Sequence, residues 1–242
     1  MNAIETMQLT KKYKDITAVD ALDLVVREGE LLALLGVNGA GKTTSVKMLS
    51  GLTQPTSGDA LLGGKSICKD AAAVKAMIAV SPQETAVAPG LSVEENLALM
   101  CGVHGFSKGK RKERILEVTQ RLGLETVLGK KAGKLSGGWQ RRLSIAMALI
   151  SQPQILFLDE PTLGLDVLAR SELWALIRSL KGRSTIILTT HYMQEAETLA
   201  DRVAIMQDGK LLVCDTPLKI KEMAGTADFE QAFVRIVKGV EK

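Results

Sequence analysis

The sequence predicts an α/β protein built on a buried parallel sheet, and three observations predict it. Hydrophobic residues make up 46% of the 242-residue chain but aromatics only 3%, so Leu, Ile, Val, Ala and Met fill the core, as they do in strands covered on both faces. Short apolar runs bounded by turn residues alternate with segments of helical periodicity. One such run, Leu31–Leu35, leads directly into Gly36-Val37-Asn38-Gly39-Ala40-Gly41-Lys42-Thr43-Thr44, in the strand, glycine-rich loop, helix order of a phosphate-binding core.

In chain order, residues 7–10, 22–26, 31–35 and 61–62 read as strands surrounding that loop, and residues 77–80 as a further strand leading into Ser81-Pro82-Gln83. The pattern then turns helical. Val93, Leu97, Met100 and Cys101 share one face, Ile115, Val118 and Leu122 another, and Leu143, Ala146, Met147 and Ile150 a third. Residues 155–158 and 185–188 read as buried strands separated by a helix carrying Leu168, Leu173, Leu176 and Leu180. Phe229, Ala232, Phe233, Ile236 and Val237 recur at helical spacing near the end. Residues 1–83 and 151–215 are therefore expected to form one α/β core, residues 84–150 an inserted helical subdomain and residues 216–242 a short helical tail. Neither internal repeats nor a low-complexity linker divide the chain.

The formal charge of +4 is mild and its 31 basic residues are interspersed with 27 acidic ones, so no nucleic-acid partner is expected. The basic run at residues 108–114 reads as a solvated helix face. Cys68, Cys101 and Cys214 form no CxxC pair, as in a reduced cytoplasmic protein. No apolar stretch approaches the roughly 18 residues of a membrane span, and the first ten residues lack the pattern of an export signal.

Three segments carry chemistry. In the first, the glycines let backbone N–H groups converge on phosphate oxygens, and the helix starting near Lys42 adds its positive end. Lys42 suits the terminal phosphates and the Thr43 hydroxyl suits Mg2+. In the second, Ile155-Leu156-Phe157-Leu158-Asp159-Glu160, apolar residues deliver two carboxylates to a strand end. Asp159 there needs a cation to offset its desolvation, and Glu160 is placed as the general base for an attacking water. In the third, Leu135-Ser136-Gly137-Gly138-Trp139-Gln140-Arg141-Arg142, two glycines follow a helix-capping serine. This makes a second phosphate-binding surface in a chain with one lysine-bearing loop, an excess explained if one nucleotide is gripped by two chains.

In this ordered set the chain resembles the nucleotide-binding subunit of an ABC transporter of the drug, antibiotic and polysaccharide export branch, from Tyr13 to at least Asp215. Residues 36–44 resemble Walker A, residues 155–159 Walker B and residues 135–139 the family signature; Gln83 falls at the Q-loop position and His191 at the switch-histidine position. The resemblance implies a P-loop NTPase core with an antiparallel β subdomain and an inserted helical subdomain. It implies ATP and Mg2+ as ligands: Tyr13 stacked on adenine, Gly36, Asn38, Gly39, Ala40, Gly41, Lys42, Thr43 and Thr44 around the phosphates, and Thr43, Gln83 and Asp159 at the metal. Lys42, Gln83, Glu160 and His191 carry hydrolysis, and Asp166 lies in the D-loop. It also implies a second nucleotide-binding subunit, identical or not, whose Ser136, Gly137 and Gly138 complete the site in trans, and separate transmembrane subunits. The expected location is cytoplasmic, peripheral on the inner face of the cell membrane. An importer ATPase, or an ABC ATPase acting on nucleic acid or ribosomes, is the alternative. Trp139 stands where glutamine is common, and Leu163 and Val167 where serine and proline are frequent around the D-loop; no phosphate ligand is lost.

Overall fold

A computed structural model describes residues 1–239. In chain order the elements are β1 (Asn2–Tyr13), β2 (Ile16–Leu22), β3 (Val25–Arg27), β4 (Leu31–Leu35), α1 (Lys42–Leu49), β5 (Ser57–Leu62), β6 (Lys65–Ser66), α2 (Ala71–Met77), β7 (Ile78–Ser81), α3 (Val93–Val103), α4 (Lys108–Leu122), α5 (Gly137–Leu149), β8 (Ile155–Asp159), α6 (Val167–Ser179), β9 (Thr185–Thr190), α7 (Met193–Leu199), β10 (Arg202–Gln207), β11 (Lys210–Asp215), α8 (Pro217–Met223) and α9 (Phe229–Lys238).

The central sheet runs β11-β10-β4-β9-β8-β7. All its pairings are parallel except that of β11, which folds back on β10. β4, Leu31-Leu32-Ala33-Leu34-Leu35, is buried throughout, the signature of a strand covered on both faces. Its alternation splits the core. Leu31, Ala33 and Leu35 join the cluster formed with α3 to α9, whereas Leu32 and Leu34 pack with Val46 and Met48 of α1 and with Ile4 and Leu62 of the second sheet. That second sheet, β2-β1-β5-β6 with β3 alongside β1, is antiparallel.

α3, α4 and α5 form the helical subdomain. α3 opens with a capping box in which Glu95 N–H donates to Ser92 Oγ and Ser92 N–H donates to the Glu95 carboxylate. The carboxyl of Glu95 is accordingly held down at about 2, first by the Ser92 backbone N–H and then by Lys131. Buried Arg114 of α4 donates to the carbonyls of Leu149 (2.6 Å) and Ile150 (3.3 Å), closing the C-terminal end of α5. At the other end of the chain α9 buries Phe229, Ala232 and Phe233 in the main core beside α7; residues 240–242 of the expected tail lie outside the described residues.

Four sequence expectations are corrected. Arg114, the end of the basic run expected to face solvent, is 6% exposed, because its guanidinium is turned onto the carbonyls at the end of α5. Residue 77 does not start a strand: Met77 is the last residue of α2, and β7 begins at Ile78. Residues 22–26 are two strand ends, because the Thr6 hydroxyl donates to Leu22 O and accepts from Leu24 N, both at 2.7 Å, and bends the chain between them. Leu168 is 77% exposed on α6, whose buried face is Leu173 and Ile177.

Candidate functional site

The parallel order gathers four strand exits side by side. The segments leaving the C-terminal ends of β4, β9, β8 and β7, adjacent in that order, carry Lys42, His191, Glu160 and Gln83. All four line one pocket of about 640 Å3, together with Tyr13, Asn38, Gly39, Ala40, Gly41, Thr43 and Thr44.

The loop's shape is set by contacts that only glycine permits at two positions. A Cβ on Gly36 would meet the Met206 carbonyl at 2.4 Å, and one on Gly41, at φ +102°, would meet the Ala18 carbonyl at 2.6 Å. α1 starts at Lys42 with no side chain capping it, so its first N–H groups face the pocket. Lys42 Nζ donates to the carbonyls of Gly36 (2.7 Å) and Val37 (3.3 Å) and lies 3.6 Å from Glu160 Oε1. Burial pushes its pKa down, and Glu160 and then Asp159 oppose that shift. Tyr13 ends β1 and pairs with Ile16 across a two-residue turn; its ring is 45% exposed, with Lys11 Nζ 5.0 Å from the ring centroid.

The two carboxylates share a brace. The Thr189 hydroxyl donates to Asp159 Oδ1 and accepts from the Glu160 N–H at 2.9 Å. Thr43 Oγ1 also donates to Asp159 Oδ1, at 3.2 Å. Glu160 sits at φ +47°, which turns it away from the strand line of Asp159. Its Oε2 lies 2.8 Å from His191 Nδ1, so the carboxylate is fixed between His191 on one side and Lys42 on the other. Both bonds to Asp159 fall on Oδ1, leaving Oδ2 without a hydrogen bond among the described residues. This hard oxygen donor set, Thr43 Oγ1 with Asp159, fits Mg2+ shared with phosphate oxygens and water. No group of three or more His, Cys, Asp or Glu gathers among the described residues to hold a metal alone.

The third segment stands apart. Ser136, Gly137 and Gly138 do not line this pocket. Ser136 and Gly137 are exposed, Gly138 is half-buried, and Ser136 precedes α5 without its hydroxyl capping the helix. Asp166 is exposed and caps α6, accepting from Ala169 N at 2.9 Å. Sequence reasoning missed Thr189, Arg141 and Glu195. Thr189 is found through the register Asp159↔Thr189 between β8 and β9, for which its place two residues before His191 was the available signal. Arg141 of α5, 5% exposed, donates to the carbonyls of Pro82 (2.7 Å) and Gln83 (2.6 Å). Glu195 of α7, fully buried, accepts from Trp174 Nε1 at 2.8 Å. Burial raises its pKa, and the hydrogen bond from Trp174 opposes that shift.

Comparison with known proteins agrees with this geometry. Residues 19–163 match the protein family described as ABC transporter. Over 99% of its length the chain is 36% identical to the probable multidrug ABC transporter ATP-binding protein YbhF of Escherichia coli (strain K12), but it spans only 42% of that relative. Over 93% of its length it is 39% identical to the daunorubicin/doxorubicin resistance ATP-binding protein DrrA of Streptomyces peucetius, spanning 68% of it. A dimeric ATP-binding cassette solved in a post-hydrolysis state with ADP and Pi superposes with a TM-score of 0.79 at 27% identity, over 88% of this chain and 98% of that one. A phosphate loop, paired strand-end carboxylates and a histidine on adjacent strands of one sheet, with the family match across them, make this chain a member of the ABC transporter ATP-binding family.

Proposed function

We propose that the protein binds and hydrolyses ATP to power export across a membrane through separate transmembrane subunits, working as a dimer of nucleotide-binding subunits, identical or not, on the cytoplasmic face. The observation that carries the reading is Glu160, fixed between His191 at 2.8 Å and Lys42 at 3.6 Å in the pocket that also holds the phosphate loop. The N–H groups of residues 38–44 and Lys42 hold the phosphates, and Tyr13 supports the adenine. Glu160 takes the proton of the attacking water while His191 fixes the carboxylate's orientation, and Gln83 enters from the β7 side to meet the water and the γ-phosphate. Thr43, Asp159 and Gln83 would hold Mg2+, which when bound neutralises charge on the β- and γ-phosphates. Ser136, Gly137 and Gly138 serve the second subunit's nucleotide, so ATP draws two facing surfaces together and its hydrolysis releases them.

Export is supported by the multidrug and drug-resistance names of the two relatives. Among the described residues no helix is long and apolar enough to cross a membrane. Asn96, fully buried, ties down the loop before α3: its side chain bonds Ala88 N at 2.8 Å and the carbonyls of Ala88, Leu91 and Ser92. That fixed loop beside Gln83 offers a seat for a short cytoplasmic helix of the membrane partner. Isolation of the Glu160→Gln variant from native membranes with ATP and Mg2+ tests the reading. Recovery with a polytopic membrane protein is expected. Recovery with a solute-receptor importer assembly overturns export, and recovery only with ribosomes or DNA overturns transport.

A further inference from the structure

α5 grips three consecutive residues where β7 becomes the Gln83 segment. Ser144 Oγ and Ser81 Oγ lie 2.9 Å apart and buried. One helical turn earlier, on the same face, the Arg141 fork places Nη1 on the Pro82 carbonyl at 2.7 Å and Nη2 on the Gln83 carbonyl at 2.6 Å. Gln140, beside it, donates through Nε2 to the carbonyls of Ala132 and Leu135, both at 3.2 Å, and so holds the approach to Ser136. Residues 140, 141 and 144 of one helix thus bind the Ser136–Gly138 turn and the backbone of Gln83 into one piece.

Arg141 is an uncommon strut. Only 5% exposed, it makes no salt bridge among the described residues and spends its planar fork on two neutral carbonyls, an arrangement that a guanidinium fits and a single-point ammonium does not. Burial pushes its pKa down and Asp159 opposes that shift. Gln83 in turn borders both the 640 Å3 pocket and a second pocket of about 390 Å3 that Gly137, Arg141 and Leu165 line. Among the described residues no hydrogen bond ties the Gln83 side chain itself, so its placement follows its backbone.

We infer that Arg141 is a positioning residue: its fork holds the Pro82–Gln83 backbone against α5 and thereby sets where the Gln83 side chain enters the nucleotide pocket. This rests on the ATP-hydrolysing dimer proposed above.

The test is a double-substitution cycle on the full-length protein, reading kcat, KM, ATP affinity and thermal unfolding. Arg141→Met is expected to lower kcat about tenfold, as a misplaced catalytic group does, with ATP affinity within about twofold because the phosphate loop is untouched. In a Gln83→Ala background it is expected to cost nothing further, since the group it positions is already gone. Multiplied losses, weakened ATP affinity or unchanged kcat overturn the inference. If Arg141→Met fails to fold, Arg141→Lys carries the same cycle: a smaller kcat loss that vanishes beside Gln83→Ala supports the strut, and multiplied losses or unchanged kcat overturn it. Failure of the unsubstituted protein to hydrolyse ATP overturns the parent reading instead, and this inference with it.

Discussion

Two helices of this protein begin on glycine-containing turns with no side chain capping them, and they are furnished in opposite ways. α1 opens after Gly41 with Lys42 as its first residue, and Asp159, Glu160 and His191 stand around it from neighbouring strands. α5 opens after Ser136 with Gly137 and Gly138, has no acidic residue in its first turn and shows these residues to solvent or near it. One helix end gathers the residues proposed for binding and for water activation. The other supplies only N–H groups and a hydroxyl, and becomes useful when a charged ligand already held elsewhere is brought to it. The contrast is the ground for proposing the first as the seat of chemistry and the second as a recognition surface, and it is open to attack from either side.

The largest expected effect breaks the α1 side. Glu160→Gln should lower ATP turnover by about a hundred- to ten-thousandfold, the usual worth of a general base, while leaving nucleotide binding intact; size-exclusion chromatography with ATP should show a persistent dimer. Near-normal turnover would remove Glu160 from its role.

Next in size, Gly137→Asp attacks the α5 side. A Cβ there meets nothing nearer than Leu165 Cδ2 at 3.7 Å, and a carboxylate at a helix N-terminus is favourable to folding. Turnover should nevertheless fall about a hundredfold, because the new charge faces phosphate, with ATP affinity of the single subunit within about twofold. The comparison sharpens on mixing this variant with Lys42→Ala. Each has little activity alone, yet random pairing makes half of all dimers mixed, every one of which sets one intact phosphate loop against one intact α5 turn, and about a quarter of the activity should return. No recovery would place both helix ends in one site of one subunit.

Smaller again is Thr189→Val, which removes the hydroxyl that braces both carboxylates. A buried hydroxyl of this kind is worth about 1–3 kcal/mol, and the loss should appear mainly in kcat, with a modest fall in Tm. The smallest effect concerns what stands behind the α1 side. Because the folded-state pKa of Glu195 is raised above its ordinary 4.5, its contribution to stability is fully present below that value and is lost as pH rises through the folded pKa. Glu195→Gln keeps an oxygen for Trp174 and cannot ionise. Its stability relative to the unsubstituted protein should therefore rise with pH, by about 1 kcal/mol, when Tm is followed from pH 5 to pH 9; a pH-independent difference would contradict the assigned cause.

The same two regions show what a sequence displays. Lys42, Thr43, Asp159, Glu160 and Ser136 were legible because each belongs to a short segment whose residue order is itself the geometry. Arg141, Thr189 and Glu195 were not, since each acts on a partner distant in the chain: Arg141 on residues 58 and 59 positions away, Thr189 on residues 30 and 29 away, Glu195 on Trp174, 21 away. Their meaning appears only once β8 is aligned with β9 and α5 is laid against β7. The fold divided similarly. Fully buried β4, β8 and β9 show as apolar runs, whereas α2, with Val74 as its only buried residue, has too thin an apolar stripe to be seen, so that Met77 reads as the start of the apolar run of the next strand.

The left-handed backbone of Glu160 has an evolutionary consequence. At φ +47° a glutamate forfeits roughly 1 kcal/mol or more that glycine would not. Selection for stability alone therefore favours Gly at this position, a change that touches no residue of the phosphate loop and deletes the proposed base. A lineage relieved of the need to hydrolyse would gain robustness by that single step, and Glu160 endures only where turnover itself is under selection.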